Sequence, residues 1–276
     1  MSSGSPERGA PVGIFDSGIG GWSVLREIRR ELPGEALLYV ADSGHAPYGG
    51  RSNDYIAARA DAIAAWLFGQ GAKALVVACN TATSAAVAAL RARYAQPIVA
   101  MEPAVKPAAA QTRSGVIGVL ATQRTVEGEQ LARLRDRYGR DVRMLTRACP
   151  GLVEHVEMGD FHGPDARRLV DHFVRPLLAE GVDVLVLGCT HYPFLRTLIE
   201  ESAPGVAIID PAPAVARELR RRLAAAALLS AADRAPPPRV YTTGDPAHCA
   251  RLIELIDGQP LPVAAVEPGA PAVATV

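Results

Sequence analysis

Ala74-Leu75-Val76-Val77-Ala78-Cys79-Asn80-Thr81 and Asp183-Val184-Leu185-Val186-Leu187-Gly188-Cys189-Thr190-His191 are two versions of one pattern. Each is a short apolar run of the kind that forms a strand covered on both faces in a parallel sheet. Each ends in a cysteine followed at once by two side chains that hydrogen-bond. One such cysteine, taken alone, reads best as a small packing hydrophobe. Here the thiol sits twice at the carboxyl end of a strand and near the start of the next helix, where the helix dipole favours a thiolate. A reaction that takes a proton from one face of a flat intermediate and returns one to the other needs two acid/base groups of similar strength. Two thiols from two related halves meet that need.

Outward from these runs, Val/Ile/Leu/Ala-rich segments alternate with longer stretches of helical periodicity bearing Arg and Glu. Such alternation predicts an α/β chain of doubly wound, largely parallel sheets covered by helices. Strands are expected at about 12–15, 36–41, 74–78, 97–101, 115–120, 141–147, 183–187, 206–210 and 239–243. A duplication is visible: Val12-Gly13-Ile14-Phe15 then Asp16-Ser17 precede Cys79, and Val116-Ile117-Gly118-Val119-Leu120 then Ala121-Thr122 precede Cys189 at a similar interval. Pro103 and Pro107 flank a crossing into the second half, and Asp210-Pro211-Ala212-Pro213 marks the return. The expected division is residues 1–103 with 213–276 as the first α/β domain and 104–212 as the second, with a shared cleft at the strand carboxyl ends. Ser230 to Arg239 reads as a proline-rich loop, and the stretch after Gly258 as a loosely held tail.

With 276 residues the chain can bury a large core and hold two domains. A formal net charge of zero and the lack of any basic block remove the electrostatic footprint of a nucleic-acid binder, so a small-molecule ligand is expected. No apolar stretch approaches bilayer-spanning length, and Met1 to Pro11 is a polar segment without a hydrophobic signal region. A cytoplasmic protein is expected, with no membrane partner. Cys79, Cys149, Cys189 and Cys249 are widely spaced, so reduced thiols are expected rather than a disulfide framework. The only lysines are Lys73 and Lys106, both read as solvated surface residues, which argues against a pyridoxal phosphate enzyme.

Asp16-Ser17-Gly18-Ile19-Gly20-Gly21 precedes a helical pattern through Trp22, Leu25 and Ile28. Glycines at a helix amino end let backbone amides approach a ligand. A dinucleotide site, with Asp42 on a ribose, is one reading. Ser23 in place of the third glycine and the charge of Asp16 count against it. Asp16 alone reads first as a helix cap, and the cysteine pair shifts it toward acid/base work. His191 beside Cys189 can tune the thiol. Zinc on Cys189 and His191 lacks a compact ligand set, so no metal is expected. Asn80, Thr81 and Thr190 have a plain explanation as helix caps, and Ala46-Pro47-Tyr48-Gly49 is a turn placed to reach a carboxylate across the cleft.

Together these motifs, with Asp42-Ser43, Gly188-Cys189-Thr190-His191-Tyr192-Pro193 and Thr242-Thr243-Gly244-Asp245, resemble the glutamate racemases of the cofactor-independent aspartate/glutamate racemase superfamily. The resemblance runs over nearly the whole chain. It implies interconversion of L- and D-glutamate without a cofactor, supplying the D-isomer for bacterial peptidoglycan, by a homodimer. It implies that Cys79 acts on the α-proton of D-glutamate and Cys189 on that of L-glutamate, aided by Asp16 and His191. Asp16-Ser17, Tyr48-Gly49, Asn80-Thr81 and Thr190-His191 match the substrate-binding pairs. A further family glutamate aligns with Glu157, with Glu154 as its rival. Aspartate racemisation, an NAD-dependent oxidoreductase and a non-catalytic binder are the competing readings. Turnover of aspartate, stabilisation by NAD but not glutamate, and absence of α-proton exchange distinguish them in that order.

Overall fold

The computed structural model describes residues 7–138 and 142–269. The expected strand beginning at 141 and the ends of both terminal segments therefore lie partly outside the described residues. Among the described residues, ten strands form two sheets, and every strand pair is parallel. The first sheet contains β1 (Val12–Asp16), β2 (Leu37–Ala41), β3 (Ala74–Val77), β4 (Ile98–Ala100), β9 (Arg239–Thr242) and β10 (Val263–Ala265), in the order β10-β9-β2-β1-β3-β4. The second contains β5 (Val116–Ala121), β6 (Arg143–Ala148), β7 (Val184–Gly188) and β8 (Ala207–Ile209), in the order β6-β5-β7-β8. The two-sheet α/β architecture is the one the alternating pattern predicts.

The duplication is a property of topology. Each half lays its first four strands in the same spatial order, with the second strand outside the first and the third and fourth on the other side. Register makes the match residue by residue. Phe15 pairs with Val77 and Leu120 with Leu187, so Cys79 and Cys189 each stand two residues beyond the equivalent pair. In that frame Asp16 corresponds to Ala121, Ser17 to Thr122, Asn80 to Thr190 and Thr81 to His191. The strand order reverses between β1 and β3 and between β5 and β7, which are the switch points where open α/β sheets bind ligands.

The runs of the central strands are buried at every position because helices cover both faces. Helix α1 (Trp22–Glu31) buries Trp22, Leu25 and Ile28 and packs on α10 (Ala212–Ala225), which brings the chain back to the first sheet after β8. Helix α2 (Asn53–Gly69) and helix α3 (Asn80–Arg93) pack together on the same sheet. In the second half lie α4 (Val105–Gln111), α5 (Gln123–Glu127), α6 (Glu129–Tyr138), α7 (Leu152–Glu157), α8 (Pro164–Ala179) and α9 (Arg196–Ser202). The last helix, α11 (Pro246–Asp257), starts with Asp245 accepting from the Ala247 amide and stops at Gly258, whose φ of 71° is left-handed. Among the described residues, no helix is long and apolar enough to cross a membrane.

Two expectations are corrected. The described residues after Gly258 do not form a loose tail, since β10 pairs in parallel with β9, Val263 facing Val240; residues 270–276 of that stretch lie outside the described residues. Three short residues at a sheet edge carry too little alternation to announce a strand. Lys73 is not a solvated residue but is fully buried, its ammonium on the Glu35 carboxylate and the Arg8 carbonyl. A buried cation survives only with such partners, and Glu35, distant in sequence, supplies the charge. Lys106 is exposed as expected.

Candidate active site

The two cysteine loops meet at one pocket. Ser17, Pro47, Tyr48, Gly49, Cys79, Asn80, Thr81, Thr122, Val153, Cys189, Thr190 and His191 line one narrow pocket between the halves. All four cysteines are free, and Cys79 and Cys189 are both buried.

The thiols sit in equivalent positions but in different surroundings. Cys79 caps α3, its Sγ accepting from the Ala82 amide at 3.4 Å, with the Ser17 hydroxyl 3.9 Å away. Cys189 does not cap a helix, because a turn of 3-10 helix over Tyr192–Leu195 separates it from α9. Its neighbour is the imidazole of His191, with Nδ1 at 3.7 Å. The helix dipole expected at both cysteines thus acts at one. Even there it is overridden: burial and the negative charge of Asp16 push the Cys79 thiol well above its ordinary value, against the Ala82 amide. That direction favours the protonated thiol at Cys79.

Asp16 is fully buried, and that burial raises its carboxyl pKa, which the charge of His191 only partly offsets. One oxygen, Oδ2, accepts from the Gly21 amide at 2.7 Å and the Thr190 hydroxyl at 3.2 Å. The other, Oδ1, is buried without a hydrogen bond. Asp16 is therefore not the cap of α1, whose N-cap position is Gly21, without a side-chain cap bond; one oxygen steadies the glycine loop and the other is left without a partner. On the other side, His191 Nε2 lies 2.7 Å from Glu157 Oε1, which also accepts from the Ile19 amide at 2.7 Å. Burial alone would lower the His191 pKa, but the hydrogen bonds to Cys189 and Glu157 outweigh it and raise the value well above that of free imidazole. His191 is a cation. Glu154, on the same helix, is exposed, so it is Glu157 that stands on the imidazole.

The glycine loop is filled by the protein itself. A Cβ on Gly18 would overlap the Glu157 carboxylate, and one on Gly20 would overlap the His191 ring. Glycine is required there because the second half closes onto the first, and the space a pyrophosphate would need is taken. Asp42, the ribose candidate, is likewise engaged. It is fully buried, binds Arg59 through both oxygens (2.7 and 3.1 Å), and accepts from Thr243 at 2.9 Å and from the Tyr48 hydroxyl at 2.5 Å. This cluster fixes the Pro47-Tyr48-Gly49 turn. It also occupies the Tyr48 hydroxyl, so Tyr48 offers the pocket its ring and backbone.

Asn80 does not cap a helix. Both polar atoms of its amide are buried and unbonded in the pocket wall, a costly arrangement in a packed interior and one that suits a polar ligand. Thr81 joins a hydroxyl cluster with Thr122 (3.0 Å) and Thr125 (3.4 Å), tying the halves together. Thr122 and Val153 line the pocket although no sequence motif singled them out as site residues. The duplication was the available signal for Thr122, the counterpart of Ser17. Cys149 and Cys249 do not line the pocket, and burial pushes both thiols up to about 12. Among the described residues, no three His, Cys, Asp or Glu side chains group so as to hold a metal ion.

The chain matches the Asp/Glu/hydantoin racemase family over residues 20–219. It is 54% identical over 252 residues to the glutamate racemase of Stutzerimonas stutzeri, covering 91% of this chain and 95% of that one. To the glutamate racemase of Pseudomonas aeruginosa it is 54% identical over 253 residues, with the same coverage. A crystal structure of a glutamate racemase isoform from Bacillus anthracis superposes with a TM-score of 0.86 at 32% identity, covering 95% of this chain and 98% of that one. The Escherichia coli glutamate racemase, solved with L-glutamate, gives 0.82 at 30% identity over 93% and 97%. This chain therefore belongs to the Asp/Glu/hydantoin racemase family, among its glutamate racemases.

Proposed function

We propose that this protein interconverts L- and D-glutamate without a cofactor, one cysteine removing the α-proton while the other delivers a proton to the opposite face. The observation that carries the reading is the convergence of Cys79 and Cys189 on one pocket between two halves that share a four-strand order. A planar carbanion exposes a face to each half, so a pseudo-symmetric cleft stabilises the transition state from either direction.

In this reading the two thiols rest in different states. Cys79, a thiol, is the acid ready for L-glutamate. Cys189, beside the His191 cation, acts as the base of a thiolate–imidazolium pair and takes the α-proton of L-glutamate. In the reverse direction Asp16 receives the Cys79 proton, and its raised basicity suits it to that task better than an ordinary carboxylate. Glu157 orients the imidazole and balances its charge. The Asn80 amide, the hydroxyls of Ser17, Thr81 and Thr190, and the Tyr48-Gly49 backbone hold the substrate carboxylates and the charge that grows on them.

The proposed units are residues 1–103 with 213–276 and 104–212, supported by α4 packing on β5 and β7 and by α10 packing on α1 and β4. The proposed setting is the cytoplasm, whose reducing conditions keep four free cysteines as thiols, and the proposed assembly is a homodimer. The product is the D-isomer used in peptidoglycan synthesis. Loss of optical rotation from L-glutamate, with no added cofactor and with L-aspartate unchanged, is the expected result. Unchanged rotation of L-glutamate would overturn the reading, and light scattering tests the dimer.

A further inference from the structure

Two-base racemisation does not return the enzyme to its starting state. After L-glutamate becomes D-glutamate, Cys189 holds a proton it lacked and Cys79 has lost one. A proton must travel back before the next L-glutamate reacts, and both thiols are buried. The structure contains a chain of polar contacts along most of the way. Thr190 Oγ1 lies 3.5 Å from His191 Nδ1 and 3.2 Å from Asp16 Oδ2, and Nδ1 is 3.7 Å from Cys189 Sγ. At the far end Asp16 lies beside Cys79, which feels it as its strongest charged neighbour. We propose that the Thr190 hydroxyl relays a proton between His191 and Asp16 in the free enzyme, resetting the two cysteines without passage through solvent. This rests on the racemase reading above.

Donor and acceptor roles along the chain agree. With Nε2–H directed at Glu157, Nδ1–H faces Thr190, whose hydroxyl accepts with a lone pair while donating to Asp16 Oδ2. The reset has three balanced steps. The Nδ1 proton passes to Thr190 as the threonine proton passes to Asp16, leaving neutral imidazole and a carboxylic acid. The Cys189 thiol then gives its proton to Nδ1, restoring the thiolate–imidazolium pair. Asp16, after rotation of its carboxyl group, gives its proton to the Cys79 thiolate. One proton has moved from Cys189 to Cys79, and His191, Thr190 and Asp16 are as they began. The residue at the equivalent position in the first half is Asn80, whose amide offers no such exchangeable hydroxyl.

The test is tracer perturbation. Enzyme and excess unlabelled L-glutamate are added to an equilibrated mixture of labelled enantiomers, and the transient excursion of label toward the L-isomer is followed. A slow reset enlarges the excursion. In the unaltered enzyme the relay predicts an excursion that stays the same when buffer is nearly withdrawn or raised. In Thr190→Val the reset should slow by roughly 10²-fold or more, the scale of a lost proton-transfer group. The excursion should then grow and should shrink as buffer is added, while Thr190→Ser restores buffer independence. An excursion that varies with buffer in the unaltered enzyme overturns the proposal, even if Thr190→Val is inactive. So does a turning-over Thr190→Val with an unaltered excursion. Absence of racemisation by the unaltered enzyme would instead strike the racemase reading.

Discussion

In the first half the partner of the cysteine comes from the neighbouring strand, where Asp16 closes β1 and turns a carboxyl group toward Cys79. In the second half the equivalent position is Ala121, and the partner is His191, two residues beyond the thiol itself. One scaffold thus presents two thiols in equivalent places and surrounds one with negative charge, the other with positive. That difference is what a racemase without a cofactor needs. Two cysteines in identical surroundings would favour the same protonation state, whereas an acid and a base must face the substrate together. The second half also needs support the first lacks: Glu157 reaches across to the Ile19 amide of the glycine loop, with Gly18 making room for it and Gly20 for His191.

The comparison breaks most severely at the thiols. Cys79→Ser and Cys189→Ser should each lower turnover by roughly 10²–10⁴-fold in both directions, the contribution of a positioned acid or base. Steady-state racemisation from each enantiomer checks this, and full activity in either variant would remove that cysteine from the mechanism. A second break concerns stability. Arg59 neutralises Asp42 only in the first half, so Arg59→Leu leaves a fully buried carboxylate unpaired. A loss of about 3 kcal/mol is expected, the low end for a broken buried pair because Arg59 keeps some contact with water. The KM for glutamate should rise with it as the Tyr48 turn loosens. Denaturant unfolding with Arg59→Lys as the control measures the effect.

The charged contrast itself can be sharpened by pH. The folded-state pKa of His191 is raised, so its stabilisation is fully present below the free-imidazole value of about 6.5 and is lost as pH rises through the folded value. Asp16 and Cys79 have raised values too, so stability also falls as pH rises through the ranges where each ionises. The difference between the unaltered protein and His191→Gln isolates the imidazole. Unfolding midpoints should converge between the two as pH rises above neutrality, and parallel curves would deny a charged His191. The smallest effect belongs to Cys149→Ser and Cys249→Ser, whose racemisation rates should stay within about twofold, as for residues outside the acid/base chain. A large loss in either would extend the site beyond the two matched thiols.

Much of this was legible in the chain because it is local. Apolar runs ending in Cys-Asn-Thr and Cys-Thr-His declare a strand and the side chains that meet at the pocket in fewer than ten consecutive residues, and all nine expected strands are present. What depended on distant partners was hidden. Lys73 looks like a surface residue until Glu35 is placed against it, and Asp42 looks like a ribose ligand until Arg59 and Thr243 arrive. The glycine loop read as an opening for a ligand because sequence does not reveal that Glu157 and His191 fill it. The pair Glu157 and Glu154 differ by less than a turn of α7, and only the tertiary contact with His191 separates them.

The central claim is that two opposed thiols, not one, handle the α-proton. It is tested most directly in a single turnover, with enzyme equilibrated in heavy water and held in excess over L-glutamate, and both enantiomers analysed before equilibrium. The expected result is D-glutamate carrying α-deuterium while the remaining L-glutamate keeps its proton. Deuterium appearing equally in recovered L-glutamate, or D-glutamate that retains the original proton, would mean a single group serving both faces and would contradict the account.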